Sequence, residues 1–137
     1  MAEAQLAQHG FHHLALRVAD FEASVKFYTE GLGLTRALSW GAGQERAVML
    51  AAGNGNYLEI FAGGTCEAKP EGALLHFALR SDDVDAALQR ALTAGAKPHM
   101  APTALAIDSQ PSPKNVHIAF CTGLDGELIE FFDCDEM

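Results

Sequence analysis

Two stretches of the chain carry the same alternation of apolar and polar positions. HHLALRV, from His12, places His13, Ala15 and Arg17 on one side of an extended strand and Leu14, Leu16 and Val18 on the other. LHFALR, from Leu75, places His76, Ala78 and Arg80 opposite Phe77 and Leu79. Each strand runs into a segment of helical period. Asp20 is the expected N-cap of FEASVKFYTEGLG, where Phe21, Val25 and Tyr28 form the apolar stripe and Gly31 or Gly33 ends the run. Ser81 or Asp82 is expected to cap DVDAALQRALTAG, with Val84, Leu88 and Leu92 inside and Gly95 at the stop. Three strands are expected after each helix. They are RALSW, ERAVMLA and NYLEIF in the first half, and KPHMA, NVHIAF and ELIEFF in the second, with Gly, Asn and Asp in the gaps.

The pattern is therefore a βαβββ unit written twice. The copies align at His13/His76, Ala15/Ala78, Leu16/Leu79, Arg17/Arg80, Asp20/Asp83 and Ala23/Ala86, an offset of 63. GNYLEIF and GELIEFF form a second echo at an offset of 71, pairing Glu59 with Glu130 and Phe61 with Phe132. The second copy is thus longer between its echoes, and SQPSPKN is the natural place for the extra residues. Units of roughly 65 residues are too long for a solenoid repeat. The expectation is one α+β domain over 1–137, built of two modules, about 10–62 and about 73–133, related by a pseudo-two-fold axis.

One face of such a sheet packs on the helices, through Leu14, Leu16, Val18, Leu58, Ile60, Phe77, Leu79, Ile129 and Phe131. The opposite face holds both repeated histidines and both repeated glutamates among aromatics: His13, Arg17, Tyr57, Glu59, Phe61, His76, Arg80, Glu130 and Phe132. The pseudo-two-fold axis is expected to bring the two imidazoles and two carboxylates into one pocket. Inward-pointing groups of this kind are costly unless something cationic neutralises them. A divalent metal is one answer, and His13, Glu59, His76 and Glu130 are the candidate ligands. Ion pairs of Arg17 and Arg80 with Glu59 and Glu130 are the other. His12 falls on the helix side by alternation and reads as a partly buried structural residue. His117 reads as structural or at the pocket edge, and His9 and His99 as surface residues.

Composition narrows the partners. A net charge of −9 argues against nucleic acid, which needs clustered Lys and Arg. No apolar run approaches the length of a membrane span. MAEAQLAQHG lacks the basic and apolar regions of a signal peptide. Cys66, Cys121 and Cys134 are odd in number and far apart, as in a cytoplasmic protein with reduced thiols.

FHHLALRVADFEASVKFYTEGLGL, NYLEIF, LLHFALRSDDVDAAL and GLDGELIEFF together resemble the vicinal oxygen chelate superfamily, also called the glyoxalase/bleomycin-resistance/extradiol-dioxygenase family. The resemblance covers nearly the whole chain. It implies the glyoxalase/bleomycin resistance fold and metal ligands from the first and last strands of each module, at His13, Glu59, His76 and Glu130. The metal implied is Ni, Zn, Co, Mn or Fe. The His, Glu, His, Glu set is similar to that of glyoxalase I, a lactoylglutathione lyase. Gly63 stands where bacterial glyoxalase I has an Asn that helps hold glutathione, which leaves the thiol open.

The activity so implied is a metal-dependent lyase or isomerase acting on a hemithioacetal of a 2-oxoaldehyde, or a similar vicinal-oxygen substrate, through a metal-stabilised enediolate. Glu130 is the expected catalytic base, with Glu59 its symmetry-related counterpart. Arg17 is expected to bind an anionic end of the substrate, and Tyr57, Phe61 and Phe132 to form the apolar wall. The partners implied are a small-molecule substrate and a second copy in a homodimer. An extradiol-type dioxygenase and a non-catalytic drug-binding protein are the alternatives on the same fold.

Overall fold

The computed structural model describes residues 10–65, 67 and 72–135; the N-terminal stretch with His9, and Cys66, lie outside the described residues. Strand β1 (His13–Arg17) leads into α1 (Phe21–Lys26), then β2 (Thr35–Trp40), β3 (Ala47–Gly53) and β4 (Asn56–Phe61). The second copy repeats the order as β5 (Phe77–Arg80), α2 (Val84–Thr93), β6 (Lys97–Ile107), β7 (Lys114–Thr122) and β8 (Leu128–Cys134). The strands form two four-stranded sheets, ordered β1-β4-β3-β2 and β5-β8-β7-β6. In each, the first and last strands of the module pair in parallel and the other pairs are antiparallel. This is the expected α+β architecture of two βαβββ modules.

The helix caps follow the repeat. The Asp20 carboxylate accepts from the Ala23 N–H at 3.1 Å, and the Asp83 carboxylate accepts from the Ala86 N–H at 3.0 Å. The second cap is thus Asp83, not Ser81 or Asp82. An N-cap side chain must reach the N–H three residues on, and only Asp83 stands at that spacing. Ser81 accepts instead from the Asp83 N–H at 3.1 Å. After α1 the chain widens into a π-helical turn, Phe27–Gly31, closed by a Leu32 N–H bond to the Phe27 carbonyl. Gly31 ends it where the two modules' helical ends meet. A Cβ there would lie 2.5 Å from the Ala94 Cβ, so the close approach needs glycine.

The core lies between helices and sheets and is continuous across both modules. It contains Val18, Leu58 and Ile60 from the first sheet, Ala119, Cys121, Ile129 and Phe131 from the second, and Phe21, Val25, Tyr28, Val84, Leu88 and Ala91 from the helices. Each large side chain fully buried here contributes about 1.5–3 kcal/mol. Leu14, Leu16, Phe77 and Leu79 also pack on it but stay partly exposed. They sit on β1 and β5, which each have a sheet neighbour on one side only.

The strand expected as KPHMA continues to Ile107. At 11 and 9 residues, β6 and β7 outrun β2 and β3, at 6 and 7, and SQPSPKN begins beyond the end of β6. The extra length of the second copy therefore builds a longer hairpin. Pro102 is tolerated inside β6 because that strand is an edge, where a missing N–H costs no ladder bond. Cys121 and Cys134 are free thiols. Among the described residues, no helix is long and apolar enough to cross a membrane.

Candidate metal and substrate site

Sheet register decides which side chains share a face. In the β1–β4 ladder His13 faces Tyr57, Ala15 faces Glu59 and Arg17 faces Phe61. In the second sheet Ala78 and Phe120 flank Glu130, and Arg80 and Ile118 flank Phe132. A small alanine thus stands beside each glutamate and leaves room for the histidine two positions earlier to lean over it. His13 Nε2 lies 3.5 Å from the Glu59 carboxylate, and His76 Nε2 lies 3.1 Å from the Glu130 carboxylate. Glu59 and Glu130 are only 9% and 7% exposed, whereas the imidazoles are about one-third or more open.

The glutamates do not pair with arginine. The Arg17 guanidinium donates to the Ala62 carbonyl at 2.8 Å and lies over the Phe61 ring at 5.3 Å. Among the described residues no ion pair joins Arg17 or Arg80 to Glu59 or Glu130. Aromatic rings frame both pairs. The Trp40 ring meets Phe61 edge to face, Phe120 meets His76 in the same way, and Tyr57 is stacked with His12. His12 is exposed, not partly buried, because it precedes the strand and escapes its alternation. His117 points to the helix side, 3.7 Å from Asp85, and not to the pocket edge.

The structure gathers the four candidate ligands as two pairs. Among the described residues no group of three or more His, Cys, Asp and Glu comes together to hold a metal. The donor set itself, two imidazole nitrogens and two carboxylates, suits a borderline divalent ion. One chain presents it in halves.

A cleft of about 860 Å³ runs beside β1 and the second sheet, lined among others by Leu16, Arg17, His76, His99 and Phe120. Of the residues singled out in the sequence as site residues, Arg17 and His76 line it; the others lie on the sheet faces outside it. His99, expected at the surface, contributes to its wall.

The floor of the cleft reaches a polar cluster that joins the modules. The Tyr28 hydroxyl donates to the Glu127 carboxylate at 2.6 Å. The other Glu127 oxygen accepts from the Asp125 N–H, while Asp125 accepts from the Ala19 N–H and the Ser24 hydroxyl. Burial, followed by the negative charge of Glu127, pushes the Tyr28 phenol well above its usual range. The same two causes push the Cys121 thiol up to about 11. The Tyr28–Glu127 bond was hidden in the sequence because GLDGE reads as turn punctuation and Tyr28 as stripe.

Residues 10–131 match the family model of the Glyoxalase/Bleomycin resistance protein/Dioxygenase superfamily. The chain belongs to this superfamily. Within it, the chain is 31% identical over 126 residues to the uncharacterized protein YwbC of Bacillus subtilis (strain 168), covering 88% of this chain and 94% of that one. The fold of TnmS3, an antibiotic binding protein from Streptomyces sp. CB03234, superposes with a TM-score of 0.67 at 23% identity, over 93% of this chain and 97% of that one. A V278E mutant of glyoxalase I from Zea mays superposes with a TM-score of 0.63 at 21% identity, over 88% of this chain and 43% of that longer one. The superfamily thus holds both binding proteins and enzymes on this chain's architecture.

Proposed function

We propose that the chain is a metal-dependent lyase or isomerase of the glyoxalase I type. It works as a homodimer on a small vicinal-oxygen substrate such as the hemithioacetal of a 2-oxoaldehyde and a thiol. One observation carries this reading. Each module holds a histidine against a nearly buried glutamate at repeat-equivalent positions, with no arginine on either carboxylate. Each pair is half of the mixed nitrogen and oxygen set taken by Ni, Zn, Co, Mn or Fe. A second copy completes it, with His13 and Glu59 of one chain joining His76 and Glu130 of the other. Two-fold pairing makes two equivalent sites. Leu38, Trp40, Leu105 and Ile107 are exposed on the same sheet faces and give the pairing apolar surface to bury.

When bound, the ion supplies Lewis acidity at the substrate oxygens. The chain's own residues do the rest. Glu130 removes the proton from the carbon beside the carbonyl and returns it to the neighbouring carbon, and Glu59 is its counterpart. Near-burial keeps bulk water from competing for that proton. Arg17, steadied by the Ala62 carbonyl and the Phe61 ring, retains N–H donors for an anionic end of the substrate. Tyr57, Phe61 and Phe132 form the apolar wall.

The test is metal analysis of protein purified without chelator, followed by an assay with methylglyoxal and a panel of thiols. About one ion per chain and metal-dependent turnover are expected. Protein free of metal that binds aromatic drugs without turnover would instead place it with the binding members. Oxygen-dependent cleavage of a catechol would make it a dioxygenase.

A further inference from the structure

The two His–Glu pairs are not alike. In the first module a second histidine stands beside the first: His12 Nδ1 lies 2.9 Å from His13 Nδ1, full hydrogen-bond distance between ring nitrogens. His12 is itself held in place. Its carbonyl accepts from the Tyr57 N–H at 2.9 Å, and its ring is stacked with Tyr57 at 5.1 Å and 28°. In the second module the equivalent position is Leu75, and His76 Nδ1 takes no hydrogen bond from the described residues. The opposite ring nitrogens differ in step. His76 Nε2 sits at 3.1 Å from its carboxylate, a hydrogen bond. His13 Nε2 stays back at 3.5 Å, where a hydrogen bond is barely made.

A neutral imidazole carries one proton, so one ring nitrogen donates and the other accepts. The short Nδ1 contact and the long Nε2 contact fit a single arrangement. We infer that His12 is a positioning residue that fixes the tautomer of His13. His13 donates its Nδ1–H to His12 Nδ1, and its bare Nε2 lone pair faces the carboxylate of Glu59. His12 accepts with its own proton on Nε2, which is open to water. An imidazole lone pair turned towards a carboxylate is unfavourable on its own and is relieved by a cation between them. A hydrogen bond to the far ring nitrogen is the usual means of orienting a metal-binding histidine. His76 has no such support and keeps its proton on Nε2, donating to Glu130. The two halves of the donor set are therefore unequal: the first is ready for an ion and the second must shift its proton to receive one.

The tautomer assignment stands on the hydrogen-bond geometry alone; its effect on metal affinity rests on the reading under Proposed function. The experiment uses the metal-free full chain labelled with nitrogen-15 at histidine, at pH 8.5, and long-range proton–nitrogen correlations. His13 is expected to show protonated Nδ1, and His76 protonated Nε2. His12→Phe keeps a ring to stack with Tyr57 but removes the acceptor, and should move the His13 proton to Nε2. His12→Asn keeps an acceptor near the same place and should preserve the wild-type pattern. With Ni(II) as the probe, His12→Phe should weaken binding roughly 10- to 100-fold, and His12→Asn by far less. A wild-type His13 protonated at Nε2, or a His13 pattern unchanged in His12→Phe, would overturn the assignment. Failure of the wild type to bind Ni(II) would count against the metal-dependent function, while the nitrogen shifts would still decide the tautomer.

Discussion

The Tyr28 hydroxyl, in the helical segment of the first module, donates to the Glu127 carboxylate at the last turn of the second, 2.6 Å away. Tyr28 is fully buried, so this bond is a fixed joint between the modules. Tyr28→Phe removes the donor and leaves that carboxylate oxygen without a partner in a largely dry place. The expected loss is about 1.5–3 kcal/mol, the range for a hydrogen bond to a charged group. A lower urea midpoint at unchanged slope is the measurement, and an unchanged midpoint would mean that water replaces the hydroxyl freely.

The same burial makes the fold sensitive to alkali. In the folded chain the Cys121 thiol ionises near 11 against an ordinary value of 9.0, and the Tyr28 phenol is also pushed up. A raised folded pKa means the unfolded chain loses its proton first. The stability from Cys121 is therefore complete below pH 9.0 and is lost as pH climbs towards about 11. That of Tyr28 is complete below 10.0 and declines above it. For Cys121 the loss amounts to roughly 2–3 kcal/mol in all. Denaturation curves between pH 8 and 11 should show the decline, and Cys121→Ala should flatten its lower part. At pH 8 a thiol reagent should modify the half-buried Cys134 and spare Cys121.

If Glu130 moves the proton, Glu130→Gln should lower kcat by about 10²- to 10⁴-fold, the usual contribution of a positioned acid–base group. The glutamine keeps an oxygen towards His76 and so should retain part of the metal. Glu59→Gln is the comparison, and a larger loss there would exchange the two roles. Turnover of Glu130→Gln at the wild-type rate would remove the residue from the chemistry.

Two inactive chains should rescue one another if the donor set is shared between copies. In a mixture of His13→Ala and His76→Ala, a mixed dimer has one site broken twice and one site intact. Random exchange makes half the dimers mixed, so about a quarter of wild-type activity should return. Each variant alone should remain inactive. No recovery after subunit exchange, verified by mass spectrometry, would mean that each site belongs to one chain.

Much of this was legible along the chain, and the rest was not for definable reasons. Alternation in HHLALRV and NYLEIF placed His13 and Glu59 on the face away from the helices, as the ladder register bears out. The helical stripe Phe21, Val25, Tyr28 is buried as expected. Alternation was misleading for His12, which lies before β1, where no ladder holds a residue to its side. It did not reveal that Asp83 caps α2, because Ser81, Asp82 and Asp83 all carry suitable oxygens and only backbone geometry selects among them.

The sequence by itself determined the duplicated βαβββ pattern, the faces of the strands and the chemistry of the His and Glu residues. Period and residue type are local properties, and a strand's alternation survives whatever it packs against. Only the tertiary structure decided that each histidine meets the glutamate of its own module. It also decided that the two pairs stay apart in one chain and that Tyr28 reaches Glu127. Those are distances between sheets and modules, set by how helices and strands pack around a shared core, and no periodicity along the chain encodes them.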